Sequence, residues 1–84
     1  MQVTVRYFAS VREAVGTGSE RLETQAGSAA ALRDELIARG SPWAQALARG
    51  RAVRMALDQV LQPSEDVPLH DGAEVAFFPP VTGG

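Results

Sequence analysis

The chain contains no cysteine and no lysine. Without cysteine it has neither a disulfide framework nor a thiolate metal site. Without lysine it offers no side-chain amine to any acyl group activated at its own C-terminus. Histidine occurs once, at His70 beside Asp71-Gly72 in a predicted turn. A single histidine with no serine or cysteine partner in a motif reads as a surface residue rather than a catalyst. Glu65 and Asp66 are consecutive and loop-borne, which suits solvation better than acid–base work. There is no phosphate-binding glycine loop and no cluster with metal-ligand spacing, so the expected cofactor-binding and metal-binding residues are none. No apolar run approaches membrane-spanning length, and Met1-Gln2-Val3-Thr4-Val5 reads as a strand rather than a signal peptide. The expected compartment is therefore the cytoplasm, with no membrane partner.

What is present is one small domain's worth of chain: 84 residues, 45% of them hydrophobic. A core of that size is only marginally sufficient on its own. The charge is unevenly spread. All eight basic residues are arginines at or before Arg54, against five acids there, which leaves +3; after Arg54 come Asp58, Glu65, Asp66, Asp71 and Glu74 with no base, which leaves −5. That acidic half is expected to repel nucleic acid and to attract a basic protein surface.

The patterning predicts an α+β domain. Val3, Val5 and Tyr7 alternate with Thr4, Arg6 and Phe8, the period of a half-buried strand. Ala9 to Val15 is helix-compatible, the run from Gly16 to Ser19 is a turn, and a second strand is expected around Arg21 to Thr24. Ser28 can cap a helix that carries Leu32, Leu36 and Ile37 and ends near Gly40. Ser41-Pro42 predicts a shorter helix with proline at its first position, Trp43 and Leu47 four apart, and Gly50 at its end. Val53, Met55 and Leu57 alternate as a third strand. Asp58-Gln59 is a tight turn into Val60-Leu61, and Asp71-Gly72 turns into a last strand over 74–78. Two strands, a helix and further strands imply one sheet packed over one principal helix.

The ending carries the strongest functional signal. Phe77-Phe78 is followed by Pro79-Pro80-Val81-Thr82-Gly83-Gly84. Two prolines cannot donate ladder hydrogen bonds, so they stop the strand and launch a stiff, extended tail. The last two residues have no Cβ, so a narrow channel can close on the backbone and reach the terminal carbonyl carbon. Such an ending suits a carboxylate that is threaded into another protein's active site and turned into a reactive acyl derivative. The expected division is a domain over 1–78 and a tail over 79–84, and six tail residues span roughly 20 Å.

Together the element order and the ending resemble the ubiquitin-like β-grasp sulfur carriers, and among them the family of small, sulfur-carrier subunits of molybdopterin synthase. The resemblance lies in Tyr7-Phe8-Ala9 with Val11-Arg12-Glu13, Ala31-Leu32-Arg33, Trp43-Ala44 with Ala46-Leu47, the stretch 71–78 and the terminal octapeptide. It implies a β-grasp fold with a mixed sheet on one main helix and a flexible diglycine tail. It also implies a cycle at Gly84. An adenylating, ubiquitin-activating-type enzyme uses ATP to form a transient acyl-adenylate. A sulfur donor such as a cysteine desulfurase or rhodanese-like protein converts it to a thiocarboxylate, a C-terminal 1-thioglycine. The tail then enters the large catalytic subunit, where sulfur passes to cyclic pyranopterin monophosphate to build the dithiolene of molybdopterin. On this reading the chain is non-catalytic alone and acts as the sulfur-donating subunit of a heterotetrameric synthase. The alternatives are a ubiquitin-like protein modifier, or a carrier of the thiamine or tRNA-thiolation type, which share the adenylation step.

Alternation also bears on docking. If Val3, Val5 and Tyr7 face inward, Phe8 faces outward; if Val75 and Phe77 face inward, Phe78 likewise faces outward. In a β-grasp sheet the first and last strands are parallel neighbours, which sets these aromatics about 5 Å apart laterally at the root of the tail. Leu61 joins them through the resemblance. The expected partner-binding set is Phe8, Leu61, Phe78, Pro79, Pro80, Val81, Thr82 and Gly83, with Gly84 as the reacting residue.

Overall fold

A computed structural model describes residues 1–80 of the chain. Five strands, β1 (Gln2–Tyr7), β2 (Ser19–Glu23), β3 (Arg54–Leu57), β4 (Val60–Leu61) and β5 (Glu74–Phe78), form one mixed sheet in the order β2-β1-β5-β3-β4. β1 and β5 are parallel neighbours at its centre, and the other pairs are antiparallel. Three helices accompany it: α1 (Ala9–Val15), α2 (Ala29–Ile37) and the single turn α3 (Trp43–Ala46). This is the ubiquitin-like β-grasp arrangement expected from the sequence.

The alternation of apolar residues decides which face is covered. Val3, Val5 and Tyr7 from β1, Val75 and Phe77 from β5 and Met55 from β3 are buried together with Leu32 and Leu36 of α2, Val11 of α1 and Leu47. Each fully buried large apolar side chain contributes about 1.5–3 kcal/mol relative to exposure, so this one layer supplies the domain's stability. α2 starts where Ser28 accepts a hydrogen bond from the Ala31 amide at 3.1 Å, as its capping position predicts. α1 ends at Gly16, whose φ of 86° lets its amide close on the Arg12 carbonyl.

The structure departs from these expectations at several points, and α2 ends at Ile37, short of Gly40. β2 begins two residues earlier than expected, because Ser19 and Glu20 still pair with Arg6 and Val5. The second short helix holds Pro42 at its N-cap rather than its first turn, and it stops at Ala46, well before Gly50. Glu65 is not a solvated loop carboxylate: one oxygen accepts from Arg33 at 2.6 Å and the other from Arg49 at 2.7 Å.

Arg33 itself is 4% exposed, which its type would not suggest. Its Nε donates to the Leu47 carbonyl at 2.8 Å and its Nη2 to the Ala48 carbonyl at 2.9 Å. The guanidinium thus supplies donors to the carbonyls just past the end of α3, of which the Ala48 one also accepts from the Arg51 amide at 2.8 Å, while Glu65 balances its charge.

Candidate functional site

The site forms where β1 and β5 leave the sheet side by side. Tyr7 lies opposite Phe77 in the parallel register, and the Phe8 amide donates to the Phe77 carbonyl at 3.1 Å, which carries the ladder one residue beyond β1. Phe8 keeps an extended backbone (φ −128°, ψ 153°), so alternation still holds and its ring points away from the core. The chain then swings into α1 through Ala9, at φ 50°. A left-handed conformation costs a residue with a Cβ roughly 1–2 kcal/mol.

Phe78 ends β5 on the same face, opposite Arg54 of β3, and is half-buried. Leu61, whose register the sequence left open, pairs with Ala56, which in turn pairs with Ala76. Even steps of alternation put Leu61, Ala56, Ala76 and Phe78 on one face. Phe8 is 40% exposed and Leu61 60% exposed. The two alanines between them are small and buried, so the larger side chains stand above a shallow floor. The expected aromatic pair and the leucine are therefore brought together. Val60 is equally exposed at 60%, but it pairs with Leu57 and belongs to the opposite face.

Pro79 and Pro80 follow β5 outside any strand or helix and are half-buried. Pro79 lines a groove with Ser10, Val11 and Ala14 of α1 and with Val53, so the root of the tail is seated against the domain. Val81, Thr82, Gly83 and Gly84 lie outside the described residues.

Two polar clusters sit apart from this face. His70 is exposed, as expected, but not isolated. Its Nε2 lies 2.7 Å from Asp58 Oδ2, while Asp58 Oδ1 accepts from the Glu74 amide at 3.0 Å. Asp58 and Gln59 both have positive φ, 49° and 70°, the backbone of the tight β3–β4 turn. The hydrogen bond to Asp58 raises the His70 pKa, and the same bond holds the Asp58 carboxyl below its ordinary range. On the other edge, Tyr7 donates its hydroxyl to Glu20 at 2.9 Å and accepts from the Trp43 indole at 3.2 Å. Burial first, and then Glu20, push the phenol above its ordinary pKa. Among the described residues no group of three or more histidine, aspartate or glutamate side chains could hold a metal ion.

Charge on the sheet face departs from what the linear distribution suggests. Of the acids in the C-terminal half, Glu65 is held by Arg33 and Arg49, Asp58 by His70, and Glu74 lies 3.8 Å from Arg6. Folding thus pairs Glu65 and Glu74 of the expected acidic surface with arginines, while Asp66 and Asp71 form no ion pair among the described residues. The open face instead carries Arg6 and Arg54 beside the phenylalanines. A linear charge count could not find this, because the pairing depends on strand register.

A protein-family model described as the ThiS family matches residues 5–84. The chain belongs to the ThiS family. A molybdopterin synthase sulfur carrier subunit from Escherichia coli is 46% identical over 82 residues, covering 98% of this ThiS-family chain and 99% of that one. A solved complex of subunits 1 and 2 of molybdopterin-converting factor from Helicobacter pylori contains a chain matched at a TM-score of 0.68, with 26% identity and full coverage of both. The small archaeal modifier protein 1 from Methanosarcina acetivorans matches at a TM-score of 0.76 and 21% identity over 99% of this chain and 96% of that one, a likeness of fold. No helix among the described residues is long and apolar enough to cross a membrane.

Proposed function

We propose that this chain is the sulfur carrier subunit of a molybdopterin synthase, with the Gly84 carboxyl as the group that is loaded and emptied. The observation that carries the reading is near-complete coverage at 46% identity to a protein of that name. The apolar face at the root of the tail supports it, since an exposed patch of this kind suits a docking surface. Phe8, Leu61 and Phe78 dock the large catalytic subunit; Pro79 and Pro80 direct Val81, Thr82 and Gly83 into its active site.

The chemistry at Gly84 follows from leaving-group ability. A carboxylate oxygen is a poor leaving group at neutral pH. Attack of the carboxylate on the α-phosphate of ATP, with loss of pyrophosphate, gives a mixed anhydride whose leaving group is AMP. Hydrosulfide then adds to the carbonyl carbon, the C–O bond to AMP breaks with its electron pair, and a thiocarboxylate remains. That sulfur is nucleophilic: it forms a C–S bond to cyclic pyranopterin monophosphate as a C–O bond of that substrate breaks, and water then cleaves the acyl–sulfur bond, which leaves the sulfur on the pterin and returns Gly84 as a carboxylate. The described part of this chain does none of these steps alone; it positions the tail for an activating enzyme, a sulfur donor and the large subunit in turn.

Incubating the protein with the activating enzyme, ATP and sulfide tests this directly. The C-terminal peptide is expected to gain the mass difference of one oxygen replaced by sulfur. Capture of Gly84 in amide linkage to other proteins, with no thiocarboxylate formed, supports a modifier instead.

A further inference from the structure

On the reading that the open sheet face docks the large subunit, we propose that the partner surface bears carboxylates placed against Arg6 and Arg54, so that an acidic rim surrounds its apolar centre. The two arginines bracket the patch. Arg6 precedes Phe8 by two residues on the same face, with its Cζ 5.3 Å from the centre of the Phe8 ring. Its one ion pair among the described residues, to Glu74, is long at 3.8 Å, and its side chain is 44% exposed. Arg54 stands directly across from Phe78, is exposed, and forms neither an ion pair nor a side-chain hydrogen bond among the described residues.

Any surface that closes on Phe8 and Phe78 also closes on these guanidinium groups. Each presents five N–H donors in a fixed fork. An apolar or basic cover strips their water and returns no acceptors, which opposes binding. Carboxylates return bidentate, charge-assisted hydrogen bonds in a geometry that matches the fork. The remaining charge on this face is Glu74 beside Arg6, and Arg21 and Glu23 lie on β2 near the other end of β1. Among the described residues nearest the tail root, Arg6 and Arg54 against Glu74 leave a surplus of one positive charge although the C-terminal half of the sequence is acidic. This inverts the partner chemistry expected from composition.

Binding of the purified large subunit to five chains, the wild type, Arg54→Gln, Arg54→Glu, Arg6→Gln with Arg54→Gln, and Phe78→Ala, tests the rim separately from the patch. Association rate and affinity are measured over a series of salt concentrations, with thermal unfolding as the check on folding. Arg54→Gln breaks no ion pair among the described residues and is expected to fold as the wild type does. The double variant is expected to bind about tenfold more weakly, mostly through slower association, and with a shallower salt dependence. Phe78→Ala is expected to bind more weakly with the wild-type salt dependence. If the double variant keeps wild-type affinity and salt dependence while Phe78→Ala weakens binding, the acidic rim is wrong and the docking face stands. If Phe78→Ala also binds normally, the docking face itself is wrong. Tighter binding by Arg54→Glu also overturns the proposal.

Discussion

Leu61→Ala and Val60→Ala form a matched pair that isolates the docking face. Both residues are 60% exposed, both sit in the two-residue edge strand β4, and they point to opposite faces of the sheet. Fully burying a leucine side chain is worth about 1.5–3 kcal/mol, so a partner that covers the exposed 60% of Leu61 gains about 1–2 kcal/mol from it. At 1.4 kcal/mol per factor of ten, Leu61→Ala is expected to weaken binding about 5- to 25-fold. The part of Leu61 already covered limits the loss of folding stability to about 1 kcal/mol. Val60→Ala should cost the fold a similar amount and leave binding within about twofold of wild type. Calorimetric titration of each variant against the large subunit, beside thermal unfolding of each alone, gives both quantities. Equal weakening by the two variants, or none by Leu61→Ala, refutes the assignment of docking to the Phe8–Leu61–Phe78 face.

Replacing Arg33 by methionine keeps its bulk but removes the side-chain donor to the Leu47 carbonyl and one of the two donors to the Ala48 carbonyl, and it breaks the pair with Glu65; chemical denaturation is expected to report a loss of about 2–4 kcal/mol. Asp58→Asn should lower the His70 pKa toward its ordinary value near 6.5, as read by NMR titration of the imidazole. Because the folded His70 pKa is raised, its pairing stabilises the fold fully below that ordinary value and is lost as pH rises through the folded one; because the Asp58 pKa is lowered, the stabilisation also fades as pH falls through the folded carboxyl value. Ala9→Gly relieves the left-handed backbone at φ 50° and should raise stability by up to about 1 kcal/mol in thermal unfolding.

Much of the fold was legible because its dominant signal is period two. Val3, Val5 and Tyr7, and Val75 and Phe77, alternate cleanly, and the outward placement of Phe8 and Phe78 follows from them. α2 was legible through Ser28 and the spacing of Leu32 and Leu36. What the sequence hid was long-range. Leu61 joins the patch only through two successive strand registers, Leu61 with Ala56 and Ala56 with Ala76. Ala56 and Ala76 are buried on the open face, against the alternation, because larger neighbours shade side chains of their size. The buried Arg33 gave no local signal either: its partners Leu47, Ala48 and Glu65 lie 14, 15 and 32 residues away. The charge imbalance was correctly counted, but its placement was hidden for the same reason, since Glu65 and Glu74 pair with arginines distant in sequence while Asp66 and Asp71 do not among the described residues.

The assignment of the chemistry to one carboxyl is tested most directly by displacing it. Adding a single residue after Gly84 moves the carboxylate by about 3.5 Å, enough to remove it from the geometry that positioned attack requires. Activating enzyme, ATP, a sulfur source, the large subunit and the cyclic pyranopterin monophosphate are combined with the wild-type chain or the extended one, which mass spectrometry has shown to be untrimmed. Dithiolene formation is expected with the wild-type chain and absent with the extended one, although both fold alike. Full dithiolene formation by the untrimmed, extended chain contradicts the carrier assignment.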